Sequence, residues 1–179
     1  MTPDTGPTPT PTPTQMGANT MDHTQMRRYL EDHLAGADVG STIAARLERA
    51  YPGTDVSAVM TRMTRDIREE RALVAAALEG LDGSPDLLRR AMGMAAALGR
   101  LAGSLPFMPE PSLLEDLEAL AVGVWGKRLL WGAIGRVQDS ESGFDGIDVD
   151  RLAAKAEEQE KEILGLRQTA IEEVLDLTG

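Results

Sequence analysis

The amino-acid sequence predicts an all-α fold, a bundle of four long helices. Two observations carry this expectation. The chain is 42% hydrophobic but only 3% aromatic, so its core must be assembled from Leu, Ala, Val, Ile and Met, which suit packed helices better than a sheet. Four stretches of similar length repeat apolar residues at alternating steps of three and four, and no stretch carries the alternation of a strand.

The elements follow in order. Residues 1–20, MTPDTGPTPTPTPTQMGANT, alternate Thr and Pro, which removes backbone donors and fixes φ, so an extended, disordered tail is expected there. The first long helix is predicted from Asp22 to Tyr51, where Pro-Gly-Thr stops it. The second starts after Thr54 or Asp55, either a suitable N-cap, and runs to about Leu81. A shorter helix is expected from Pro85, with Ser84 as its cap, and the prolines of SLPFMPEPS end it in a loop. The third long helix runs from Ser112 to about Gly135, with Ser112 and Glu115 spaced as a capping box. QDSESGFDG reads as a loop, and the fourth helix extends from Asp148 to Leu177. The first two long helices are joined by a tight turn and the last two by a modest loop. The middle connection has roughly thirty residues. One long connection among four helices is the ferritin-like topology, in which the second and third helices run parallel. Residues 21–179 are therefore expected to form one helical-bundle domain.

Bulk composition excludes several functions. There is no cysteine, which rules out disulfides and thiolate metal sites. The net charge of −11 repels duplex nucleic acid and anionic membrane. The longest clean apolar run, ALVAAAL over residues 72–78, is too short to cross a bilayer. The start of the chain lacks the pattern of a secretory signal. A soluble, cytoplasmic protein is the expectation.

Three stretches carry a family resemblance: YLEDHLAGADVGSTIAARL, LEALAVGVWGKRLLWGAI and LAAKAEEQEKEILGLRQTA, on the first, third and fourth long helices. They resemble a family of uncharacterised, ferritin-like bacterial proteins, over roughly residues 25–175. The resemblance implies a ferritin-like four-helix bundle and no particular activity.

The core-facing positions can be written helix by helix. They are Met26, Leu30, His33, Ala37, Gly40, Ala44, Leu47 and Tyr51 on the first, and Val56, Met60, Met63, Ile67, Glu70, Val74, Ala77 and Leu81 on the second. The third gives Leu113, Leu117, Leu120, Val124, Lys127, Trp131 and Ile134, and the fourth Val149, Leu152, Ala156, Gln159, Ile163, Leu166 and Ala170. Each seam is apolar or small except at one place: His33, Glu70, Lys127 and Gln159. At ~1.5 Å per residue, parallel second and third helices bring all four to within about one turn of a common height. A buried carboxylate needs a partner, and Lys127 is the expected partner of Glu70, with His33 and Gln159 beside them.

Ferritin-like di-metal sites need a Glu from two helices and Glu-x-x-His from the other two. His23 and His33 are the only histidines, both on the first helix, and a lysine occupies the layer, so a degenerate site holding no metal and no cofactor is expected. No nucleophile motif and no phosphate-binding loop is present. Arg62, Arg65, Arg68 and Arg71, interleaved with Asp66, Glu69 and Glu70, read as a largely salt-bridged solvent face. Gly123, Gly126, Gly132 and Gly135 are unfavourable in a helix; they permit close packing or open a concave pocket. The favoured reading is a non-catalytic bundle acting through a protein partner or as a homo-oligomer. The alternatives are a divergent metal-binding oxidoreductase and a small-ligand binder built on the polar layer.

Overall fold

The computed structural model describes residues 22–82 and 112–174. The Thr/Pro tail, the short helix expected from Pro85 and the predicted last turn to Leu177 lie outside them. The described residues form α1 (His23–Ala50), α2 (Asp55–Asp82), α3 (Leu113–Val137) and α4 (Val149–Val174), and contain no strand.

Local chemistry sets the ends. Asp22 caps α1 by accepting from the backbone N–H groups of Thr24 and Gln25 at 3.0 and 3.2 Å. Thr54 precedes α2, and its hydroxyl accepts from Ser57 N at 3.4 Å. Gly53 takes φ +76° in the intervening turn, a conformation that favours glycine. Asp148 accepts from Arg151 N at 3.1 Å at the start of α4. The capping box expected at Ser112 is not formed: Ser112 has an extended N-cap backbone but its hydroxyl makes no capping bond. Glu115 and Asp116 still place negative charge in the first turn of α3, where the helix dipole favours it.

The core falls into two clusters. One joins Ala44 and Leu47 of α1, Met60, Met63 and Ile67 of α2, Leu117 and Leu120 of α3, and Ile163 of α4. The other joins Leu30 and Leu34, Val74 and Leu78, Trp131 and Ile134, and Leu152. The early part of α2 and of α3 thus lies at one end, and the late part of both at the other, so these helices run in the same sense. α1 and α4 run opposite to them. Each fully buried Leu, Ile or Met contributes roughly 1.5–3 kcal/mol.

QDSESGFDG is more ordered than the plain loop expected from its sequence. It makes two 3-10 turns, Gln138–Ser140 and Ser142–Phe144, and Phe144 is fully buried. The turn packs backbone to backbone on α2: a Cβ on Gly80 would stand 2.7 Å from Gly143 Cα. The last turn of α2 is thereby fastened to the α3–α4 connection.

Candidate functional site: a polar ring beneath a cleft

Each seam of the bundle carries its polar residue near the junction of the two apolar clusters. Glu70 on α2 and Lys127 on α3 form an ion pair, with Nζ 2.6 Å from Oε2. Lys127 Nζ also donates to Gln159 Oε1 on α4. Gln159 Nε2 donates in turn to Asp66 Oδ2 at 3.1 Å. Asp66 lies one turn before Glu70, and Lys155 one turn before Gln159. Lys155 Nζ is 3.1 Å from Asp66 Oδ1 and 3.6 Å from Glu70 Oε1. Five side chains from three helices therefore close a circuit. Arg65 reaches in from the surface, its Nε and Nη2 donating to Asp66 Oδ1 at 3.2 and 3.1 Å.

The circuit is nearly dry at its central pair, where the Glu70 side chain is 4% exposed and that of Lys127 14%; Lys155 reaches in from the edge, 25% exposed. Its two carboxylates balance its two ammonium groups, which is how buried charge is tolerated. Burial pushes the Lys127 pKa down, and neighbouring Glu70 only partly restores it. At Asp66 burial acts the other way, raising the pKa. Hydrogen bonds from Lys155 and Arg65, the Lys155 charge and Gln159 outweigh it and hold the carboxyl below the usual range. The two Glu70 oxygens differ: Oε2 is held by the Lys127 ammonium, while buried Oε1 has no donor within hydrogen-bonding distance among the described residues.

His33 stands outside the circuit. Among the described residues it makes no hydrogen bond or ion pair. Its ring packs edge-on against Tyr29 with centroids 4.6 Å apart. Burial lowers its pKa, against the opposing charge of Asp32. The buried place on α1 nearest the expected one belongs to Leu34, 5% exposed.

His33, Glu70 and Lys127 nevertheless share a surface. They line a cleft of about 430 Å³ between α1 and α3, floored by Ile67, Glu70 and Val74 of α2. The cleft exists because small residues face each other across it: Gly36, Ala37 and Gly40 on α1, Gly123 and Gly126 on α3. A Cβ on Gly36 or Gly123 would meet open space. Gly135 serves the other purpose expected of these glycines, close packing, since its Cβ would lie 3.2 Å from Val149 Cγ2.

Sequence reasoning missed Asp66 and Lys155. Asp66 had been grouped with the solvent face of α2, but it is only 7% exposed. The available signal was spacing: both missed residues stand four positions before a seam polar residue, on the same helical row. A third buried carboxylate, Asp116 at 7% exposure, pairs with Arg46 and ties α3 to α1. Arg62 and Arg71 do form bridges, but to other helices: Arg62 to Glu162 at 2.5 Å and Arg71 to Asp38 at 2.7 and 3.2 Å.

The donor set does not suit a metal pair. Among the described residues no group of three His, Asp or Glu side chains is placed to hold an ion. Lys127 and Lys155 put ammonium groups against the two central carboxylates. Among the described residues no helix is long and apolar enough to cross a membrane. No protein-family model, curated protein or solved structure matches the chain.

Proposed function

We propose that this protein is a non-catalytic, ferritin-like bundle in which an ion-pair circuit stands in place of di-metal chemistry, and that it acts by binding a small molecule in the α1–α3 cleft. The cleft carries this reading: about 430 Å³ of mainly apolar space ending on a buried, charged floor. Such a combination of apolar walls and a few fixed polar groups is the usual form of a ligand site. The ferritin-like part is supported by the shared direction of α2 and α3, which requires a long connection between them. Elemental analysis of protein purified without chelator tests the first half, and stoichiometric iron or manganese would overturn it. Native mass spectrometry of the same sample tests the second, a bound small molecule being the expected result.

A second reading, contact with a protein partner or a second copy, is favoured by one surface feature. Val122, Trp125 and Leu129 are 69%, 49% and 47% exposed on one face of α3, at helical spacing. If that face associates, sedimentation should show oligomers that Trp125→Glu disperses. A monomer at all concentrations removes the reading.

A further inference from the structure

We infer that the cleft selects an uncharged, chain-like apolar molecule bearing a single hydroxyl, which docks on the Glu70–Lys127 pair; this rests on the binding reading above. Three observations lead there. The first is charge. Asp66 and Glu70 are balanced by Lys127 and Lys155, so a charged ligand head would bring an uncompensated charge into a dry site, a strongly unfavourable step. The second is unused hydrogen-bonding capacity at the floor. Glu70 Oε1 is buried and has no donor within hydrogen-bonding distance among the described residues, the Lys155 ammonium standing 3.6 Å away. Lys127 has three N–H groups, engaged by Gln159 and Glu70, which leaves one to give. A hydroxyl is the neutral group that serves both, donating to the carboxylate while accepting from the ammonium; a carbonyl or ether can only accept. His33, bordering the same space with no hydrogen bond among the described residues, offers a further donor or acceptor. The third is the wall: Ile67, Val74, Val124 and Leu130 are aliphatic and give a hydrocarbon chain only dispersion and desolvation.

The test uses the full chain and three ten-carbon probes that differ only in their head: decan-1-ol, decanoate and decylammonium, titrated at neutral pH below their aggregation limits. Calorimetry reads affinity, and Trp131, which borders the cleft, reports by its fluorescence. Decanol should bind at least about tenfold more tightly than either charged probe. Gly123→Leu should weaken decanol by about tenfold or more while leaving the melting temperature unchanged or higher. A Cβ there meets no atom within 4 Å, and leucine is the better helix former. A charged probe that binds as tightly as decanol, and loses that affinity in Gly123→Leu, overturns the ligand class but leaves the binding reading standing. No binding of any probe, or binding that Gly123→Leu does not change, overturns both.

Discussion

Replacing Lys127 with Met should destabilise the protein far more than replacing Glu70 and Lys127 together. At 2.6 Å and an effective dielectric of about 20, the attraction between the two charges is about 6 kcal/mol. Removing the ammonium recovers its desolvation cost, several kcal/mol, so the net loss is smaller. Breaking a buried pair by deleting one partner typically costs ~3–5 kcal/mol. The low end of that range applies here, because Lys155 stays 3.6 Å from Glu70 Oε1 and keeps the stranded carboxylate partly compensated. Roughly 3 kcal/mol is therefore expected for Lys127→Met. In the double variant, Glu70→Leu with Lys127→Met, Asp66 and Lys155 still balance each other at 3.1 Å, and the expected loss is about 1 kcal/mol or less. Urea unfolding of the wild type, both singles and the double, followed by far-ultraviolet circular dichroism, gives the four free energies. Their cycle should yield a coupling of about 2 kcal/mol or more. Single losses that add, with coupling below about 0.5 kcal/mol, would refute the pairing.

Further expectations concern backbone approach and titration. Gly80→Ala drives a Cβ to 2.7 Å from Gly143 Cα and should lose about 2 kcal/mol; Gly36→Ala, which meets nothing within 4 Å, should gain up to about 1 kcal/mol. Thermal melts of the two variants check the contrast. The folded Asp66 pKa lies below its ordinary 3.8, so the unfolded chain takes up its proton first as pH falls. The stability Asp66 contributes is complete above 3.8 and is lost below it, and Asp66→Asn should flatten that limb of a stability–pH curve. His33 follows the same sign, since its folded pKa is depressed from 6.5: its contribution is present above 6.5 and fades as pH falls toward the folded value. His33→Gln should remove that slope, measured by urea midpoints across the same range.

The fold was legible where a residue's role depends on spacing along one helix. α2 shows this best: Met60, Met63, Ile67, Glu70, Val74 and Ala77 follow the three-and-four rule, and all are buried. The parallel run of α2 and α3 was legible from connection length alone, because a tight turn reverses a chain and a long connection need not. Phe144 was not legible. It sits in a polar, glycine-containing stretch, and its burial depends on Gly80 and Gly143 letting two backbones touch, a contact between residues 63 positions apart. The cleft was half legible. The glycines of α3 announced either close packing or a void, but the outcome depends on what faces them. Gly135 meets Val149 and packs, while Gly123, like Gly36 on the same cleft, faces open space.

Height reasoning placed Glu70, Lys127 and Gln159 in one layer, and the same reasoning explains why it missed their partners. α2 and α4 run in opposite directions. Four residues back from Glu70 moves along the axis one way, and four back from Gln159 moves the other, each by ~6 Å. By height alone Asp66 and Lys155 diverge. They meet because a lysine stem is long and flexible and can lie along apolar surface while its ammonium travels to a distant carboxylate. Charge balance supplies the reason to make that reach. With Lys127 alone, the buried carboxylates Asp66 and Glu70, at 10% and 4% side-chain exposure, would leave one negative charge uncompensated. Arg65, 64% exposed, is too well solvated to offset it fully. A search for buried carboxylates that also required the buried charges to sum to zero would have demanded a second interior lysine. Of the two lysines on α4, Lys155 stands four positions from Gln159 on the same helical row, whereas Lys161, two positions beyond it, is off that row and exposed.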